Sequence, residues 1–83
     1  MRIIKYPLST EKSIRLMESE NKLIFVVEKK ATKAEIKQAV EELFKTRVRR
    51  VTTLITKDGE KRAFVAFAPD VPAIDIATEL GLM

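Results

Sequence analysis

Apolar residues along this chain switch between a period of two and a period near 3.6, and the switches predict an alternation of strands and helices. Arg2-Ile3-Ile4-Lys5 predicts a short first strand, stopped by Pro7. Ser9 or Thr10 can then cap a helix whose first turn carries Glu11, an acid well placed on the helix dipole. Ile14 and Met17 share a face of that helix, with Leu16 beside them, and Asn21 closes it in a turn. From Lys22 to Glu28 both alternating sets are apolar, Leu23, Phe25 and Val27 on one side and Ile24 and Val26 on the other. Such a strand must be central and covered on both faces.

The second helix opens on Thr32-Lys33-Ala34-Glu35, a capping box, and carries Ile36, Ala39, Val40, Leu43 and Phe44 as an apolar stripe. Lys33, Lys37, Glu41 and Lys45 run along its other side. Val48–Thr56 and Lys61–Ala68 read as strands joined at Asp58-Gly59, a tight hairpin with both turn positions at positive φ. Counting outward from that turn sets Ile55 opposite Arg62, Leu54 opposite Ala63 and Thr53 opposite Phe64, so each face mixes apolar and polar residues and one face is only partly covered. After Pro69, Asp70 can cap a last helix with Pro72 in its first turn, Ile74, Ala77 and Leu80 on one stripe, and Gly81 at its C-cap. The resulting fold class is α+β, in the order strand, helix, strand, helix, strand, strand, helix. No repeat, linker or low-complexity stretch interrupts it, so 1–83 is expected to form one RNA-binding domain.

Charge supplies the RNA part of that expectation. Sixteen Lys and Arg stand against twelve Asp and Glu with no His, a net charge of +4, which favours an anionic partner. The same charge also keeps a small domain soluble, so the sign alone does not decide. With no Cys there is neither a disulfide framework nor a thiolate metal site, and with no signal-peptide pattern the chain is expected in the cytosol. No apolar run reaches the roughly 20 residues that span a bilayer.

Catalytic chemistry lacks its usual carriers. Without His or Cys there is no ordinary general base near neutral pH and no relay partner for Ser9, Ser13 or Ser19. Glu41, Glu42, Asp75 and Glu79 read as solvated helix faces. Gly59 and Gly81 already serve a turn and a cap, so no phosphate-cradling loop remains. No enzyme activity, cofactor, metal or small-molecule substrate is expected.

The basic residues fall into three clusters: Lys29, Lys30, Lys33 and Lys37 at the junction into the second helix; Arg47, Arg49 and Arg50; and Lys57, Lys61 and Arg62 around the hairpin. Lys33 and Lys37 repel one another at i, i+4 with no internal gain. Solvation explains any one of these residues, but three clusters in so short a chain point to a phosphate-contacting patch. Ala63-Phe64-Val65-Ala66-Phe67 matches the tail of the RNA-recognition-motif signature, but Arg62 stands where a second stacking aromatic is needed, and the order of elements differs. Phe64 and Phe67, three apart, point to opposite faces of a strand, and core packing is the better account of both.

Three blocks carry a more specific signal: Pro7-Leu8-Ser9-Thr10-Glu11-Lys12, Ala31 through Phe44, and Val51-Thr52-Thr53-Leu54. Together they resemble the universal large-subunit ribosomal protein twenty-three family, over essentially the whole chain. The resemblance implies a four-stranded antiparallel sheet with helices packed on it, seated on large-subunit rRNA beside the exit of the nascent-chain tunnel. Its implied partners are that rRNA, neighbouring ribosomal proteins, and the signal recognition particle or other nascent-chain factors, with no direct membrane insertion. Carried over residue by residue, Lys12, Lys33 and Lys37 become the leading RNA contacts and Glu11 the leading factor contact. Lys5, Lys29, Lys30, Arg49, Arg50, Lys57, Lys61 and Arg62 complete the expected RNA-binding set. Thr52 stands where the family commonly has Asn, and the short Asp58-Gly59 turn resembles the archaeal form, so no tunnel-lining loop is expected. A free-standing RNA-binding module and a protein-interaction domain using a half-covered sheet remain as alternatives.

Overall fold

The computed structural model describes residues 3–81. Its elements are β1 (Ile4–Pro7), α1 (Glu11–Glu20), β2 (Lys22–Val27), α2 (Lys33–Phe44), β3 (Val48–Ile55), β4 (Lys61–Phe67) and α3 (Ala73–Glu79). The four strands form one antiparallel sheet in the order β1-β2-β4-β3. The α+β order expected from the periodicity is therefore the order found. The first strand lies later than expected: Arg2 falls outside the described residues, and Pro7 is the strand's last member rather than its stop. An edge strand accommodates Pro because one of its two sides has no ladder to supply with an N–H.

One face of the sheet, Leu23, Phe25 and Val27 with Ala63, Val65 and Phe67, joins Met17 of α1, Ile36 and Val40 of α2, and Ala73, Ile76 and Ala77 of α3 in a single hydrophobic cluster. The Phe25 and Phe44 ring centroids lie 6.1 Å apart, a tilted aromatic pair. β2 is buried on both faces, as its doubly apolar pattern requires: Ile24 and Val26 on the second face are as covered as their neighbours on the first. Of the expected α2 stripe, Leu43 is the exception. It is 59% exposed, at the lip of an apolar concavity of about 550 Å³ between β1, α2 and α3.

Local capping follows the sequence closely in the first two helices. Thr10 caps α1, its Oγ1 accepting the Ser13 amide at 3.2 Å while Ser13 Oγ accepts the Thr10 amide at 2.8 Å. Thr32 and Glu35 make the same reciprocal pair at the start of α2. Glu41, expected to be solvated, instead accepts the Val48 amide at 3.0 Å and ties the end of α2 to β3.

Several expectations fail around α3, where Pro72 is the N-cap residue rather than part of the first turn. Asp70 does not cap α3; it pairs with Arg47. The α3 N-terminus is completed by Asn21, which sits in the left-handed region after α1 (φ 56, ψ 41) and accepts the Ala73 amide on Oδ1 at 2.7 Å. α3 consequently turns Ala73, Ile76 and Ala77 inward and leaves Ile74 45% exposed. Leu80, not Gly81, is its C-cap, and Gly81 follows at φ +76.

The hairpin register differs by one residue from the expected one: Ile55 faces Lys61, Leu54 faces Arg62 and Thr53 faces Ala63. The Thr56 amide donates to the Glu60 carbonyl at 2.8 Å and the Gly59 amide to the Thr56 carbonyl at 2.9 Å, so the loop is Lys57-Asp58-Gly59 rather than Asp58-Gly59 alone. Among those residues only Gly59 has positive φ, at +83. A three-residue loop ending on a left-handed residue is the next most common hairpin solution after the two-residue one. Gly59→Ala should destabilise the chain by about 1 to 2 kcal/mol through backbone strain. The added Cβ would meet only the Lys29 ammonium, at 3.2 Å, which can swing aside. Thermal unfolding tests this, and an unchanged melting temperature would mean that the loop does not need its left-handed residue.

Candidate nucleic-acid interface

Lys61 occupies the first position of β4 and turns its side chain toward the entry to α2. Its ammonium donates to the Ala31 carbonyl at 2.7 Å and the Lys29 carbonyl at 3.4 Å. That clamp holds the β2–α2 loop against the hairpin, with the Lys29 ammonium over Gly59. Two basic clusters about 30 residues apart in sequence thereby become one surface. Lys5, Lys29 and Lys61 share the wall of a shallow concavity of about 330 Å³ with Tyr6, Gly59 and Glu60. Lys30, Lys33, Lys37 and Lys57 are exposed around this junction, and none of them, nor Lys5 or Lys29, has an ion-pair partner among the described residues. Lys33 occupies the first turn of α2, where the positive end of the helix dipole disfavours a cation. That arrangement costs the isolated domain and suits an external anion.

Arg49 and Arg50 stand apart from this surface. They lie at the far end of β3 from the hairpin, five strand residues or roughly 17 Å away. The register shifts between Val48 and Arg50, a bulge that leaves Arg49 unpaired. Because of it Val48 and Val51, three apart, both turn into the core, while Arg49 and Arg50 are both exposed. Arg47, the third member of that cluster, is spent on Asp70.

The second face of the sheet, turned away from α2 and α3, carries Arg62 and Phe64 of β4 and Arg50, Thr52 and Leu54 of β3. Arg62 Nε donates to Glu60 Oε1 at 2.9 Å, and the Tyr6 hydroxyl donates to Glu60 Oε2 at 3.1 Å. Hydrogen bonds from Arg62 and then Tyr6 hold the Glu60 carboxyl below its usual range, and the same bond to Glu60 raises the Tyr6 phenol. The net charge Arg62 can offer a ligand is correspondingly reduced. Lys12, on the first turn of α1, places its ammonium 5.9 Å from the Phe64 ring centroid. Glu11 beside it is exposed and paired with Arg15 at 2.7 Å, a contact across one helical turn with both side chains about three-quarters or more exposed.

The core account of the two β4 phenylalanines therefore holds for Phe67, 2% exposed, but not for Phe64, which is half-buried and outside the main cluster. Tyr6 and Glu60, 54 residues apart, carried no sequence signal as a pair, because only strand order brings β1 and the hairpin within reach of one another across β2. For Phe64 the signal was present: alternation along β4 groups it with Arg62 and Ala66 rather than with Ala63, Val65 and Phe67.

Among the described residues there is no group of three or more His, Cys, Asp or Glu able to hold a metal ion, and no helix long and apolar enough to cross a membrane. What the geometry provides instead is a surface on which two basic clusters are joined across the hairpin and the β2–α2 loop. A family model described as Ribosomal protein L23 matches residues 2–71, which takes in the whole sheet, α1, α2 and both joined clusters. The chain belongs to the ribosomal protein L23 family, structural rather than enzymatic components of the large ribosomal subunit that bind its rRNA.

Proposed function

We propose that this chain sits, in the cytoplasm, on large-subunit rRNA beside the exit of the nascent-chain tunnel, where it also helps to dock factors that meet the emerging chain. The observation that carries the reading is the joining of the β2–α2 loop to the hairpin by Lys61. It brings Lys5, Lys29, Lys30, Lys33, Lys37 and Lys57 around one junction, a density of cations, unpaired among the described residues, that suits phosphates. Lys12, Arg49 and Arg50 extend the contact over the second face and the β3 end. Selectivity then comes mainly from RNA shape, because cations mounted on a folded surface read where phosphates lie and not which bases they join. Lys61 contributes chiefly by holding the surface together, since its ammonium is engaged with two carbonyls, and Arg62 contributes less than its charge suggests, since its Nε is engaged with Glu60.

Glu11 is the residue offered to exit-site factors such as the signal recognition particle. It is exposed, and its only ion-pair partner among the described residues is a surface arginine, an interaction worth little and readily exchanged. The acid therefore serves the α1 dipole and remains available to a basic partner.

Sedimentation of a cell extract through a high-salt gradient tests the assembly. Salt strips proteins held by a few phosphate contacts and spares integrated ones. The chain is expected in the large-subunit peak. Recovery at the top of the gradient would instead favour a free-standing RNA-binding module.

A further inference from the structure

We propose that Phe64 is a positioning residue for Lys12, and that this pair, rather than Arg62, makes the phosphate contact where α1 meets the second sheet face. The inference rests on the rRNA-binding reading and adds to it a residue that the charge pattern does not select.

The two cations reach the same face under different conditions. Arg62 and Phe64 are successive same-face residues of β4, opposite Leu54 and Thr52 of β3 and beside Val26 and Ile24 of β2. Arg62 is bound to Glu60, which is itself held by Tyr6, so its charge is largely answered within the protein. Lys12 has no carboxylate partner among the described residues, because the neighbouring Glu11 turns to Arg15. Its ammonium lies 5.9 Å from the Phe64 ring centroid, within the range at which an aromatic face attracts a cation. An aromatic ring holds a cation without neutralising it, since the ring carries no net charge. Glu60 therefore subtracts from the surface potential while Phe64 leaves it intact.

Phe64 is also poorly explained by packing. It is half-buried and lies outside the cluster that takes in Ala63, Val65 and Phe67 on the same strand. A flexible lysine loses much of its rotamer freedom when it engages a phosphate. A ring that limits where the ammonium goes reduces that loss before the RNA arrives. The strength of an exposed cation–π contact sets the expected gain at about two- to fivefold in affinity.

The test is a double-mutant cycle on binding of the full chain to large-subunit rRNA at fixed salt, using Lys12→Ala, Phe64→Leu and their combination, with Phe64→Tyr as the conservative variant. Phe64→Leu should lose about two- to fivefold, Phe64→Tyr should bind as the wild type does, and the combined variant should bind no worse than Lys12→Ala alone. A purely structural role for the ring would not depend on residue 12, so losses that multiply would overturn the proposal. Full affinity in either Phe64→Leu or Lys12→Ala would overturn it as well. Failure of the wild-type chain to bind would remove the RNA reading itself, and this inference with it.

Discussion

Asn21→Ala is expected to lower the unfolding free energy by about 2 to 4 kcal/mol, a large share of what a domain of this size possesses. Asn21 Nδ2 donates to the Val71 carbonyl at 2.8 Å and the Ala68 carbonyl at 3.3 Å, and Oδ1 accepts the Ala73 amide at 2.7 Å. Each bond contributes about 1 kcal/mol net, and losing them strands part-buried backbone groups. The backbone at residue 21 is left-handed, which Asn tolerates better than Ala, and this adds to the cost. Among the described residues no other side chain caps α3, so the substitution acts at both ends of one connection: the turn after α1 and the start of α3. Denaturant unfolding measures the loss, and hydrogen exchange should show α3 amides losing protection first. Asn21→Gly separates the two causes by keeping the left-handed turn without the side chain. If Asn21→Gly matched the wild type, the side-chain bonds would contribute nothing and the latch would be refuted.

Joint replacement of Lys33 and Lys37 by Glu is expected to weaken rRNA binding by about 2 kcal/mol or more, roughly thirtyfold at moderate salt. The slope of log affinity against log salt should become shallower by about 0.7 to 0.9 for each phosphate that the protein no longer neutralises. Both residues are exposed on α2, one helical turn apart, and repel one another in the free protein. Folding should change little, because the gain from Lys33→Glu on the positive end of the helix dipole is offset by like-charge repulsion at i, i+4 between positions 33, 37 and Glu41. Binding should therefore fall without a matching loss of stability, an outcome that general destabilisation cannot mimic. An unchanged affinity with an unchanged salt slope would exclude the start of α2 from the interface.

Local chemistry was legible wherever it is decided within a few residues. The capping box at Thr32, a cap at Ser9 or Thr10, the turn at Asn21, the central character of β2 and the left-handed glycine at 59 each depend on neighbours close in the chain. The three basic clusters were legible for the same reason, since charge is counted without knowing the fold. The one-residue error in hairpin register shows where local reading ends. Asp58-Gly59 suits a two-residue turn, but Thr56 Oγ1 accepting the Glu60 amide, together with the backbone bonds, closes a longer loop. Mixed faces on β3 and β4 gave no strong hydrophobic penalty against either register.

By itself, then, the sequence determined the order of elements, the end of the first helix and the start of the second, the cationic character and, through its motif blocks, the family. Only the tertiary structure decided that Asn21 caps a helix 52 residues away, that Lys61 joins two basic clusters, that a bulge at Arg49 turns Val48 and Val51 inward together, and that Phe64 meets Lys12. The physical reason is common to all four. Caps and turns are satisfied by groups that the covalent chain keeps within reach, whereas these contacts exist only once strand order and helix docking bring distant segments to hydrogen-bond or van der Waals distance, and no local pattern encodes that distance.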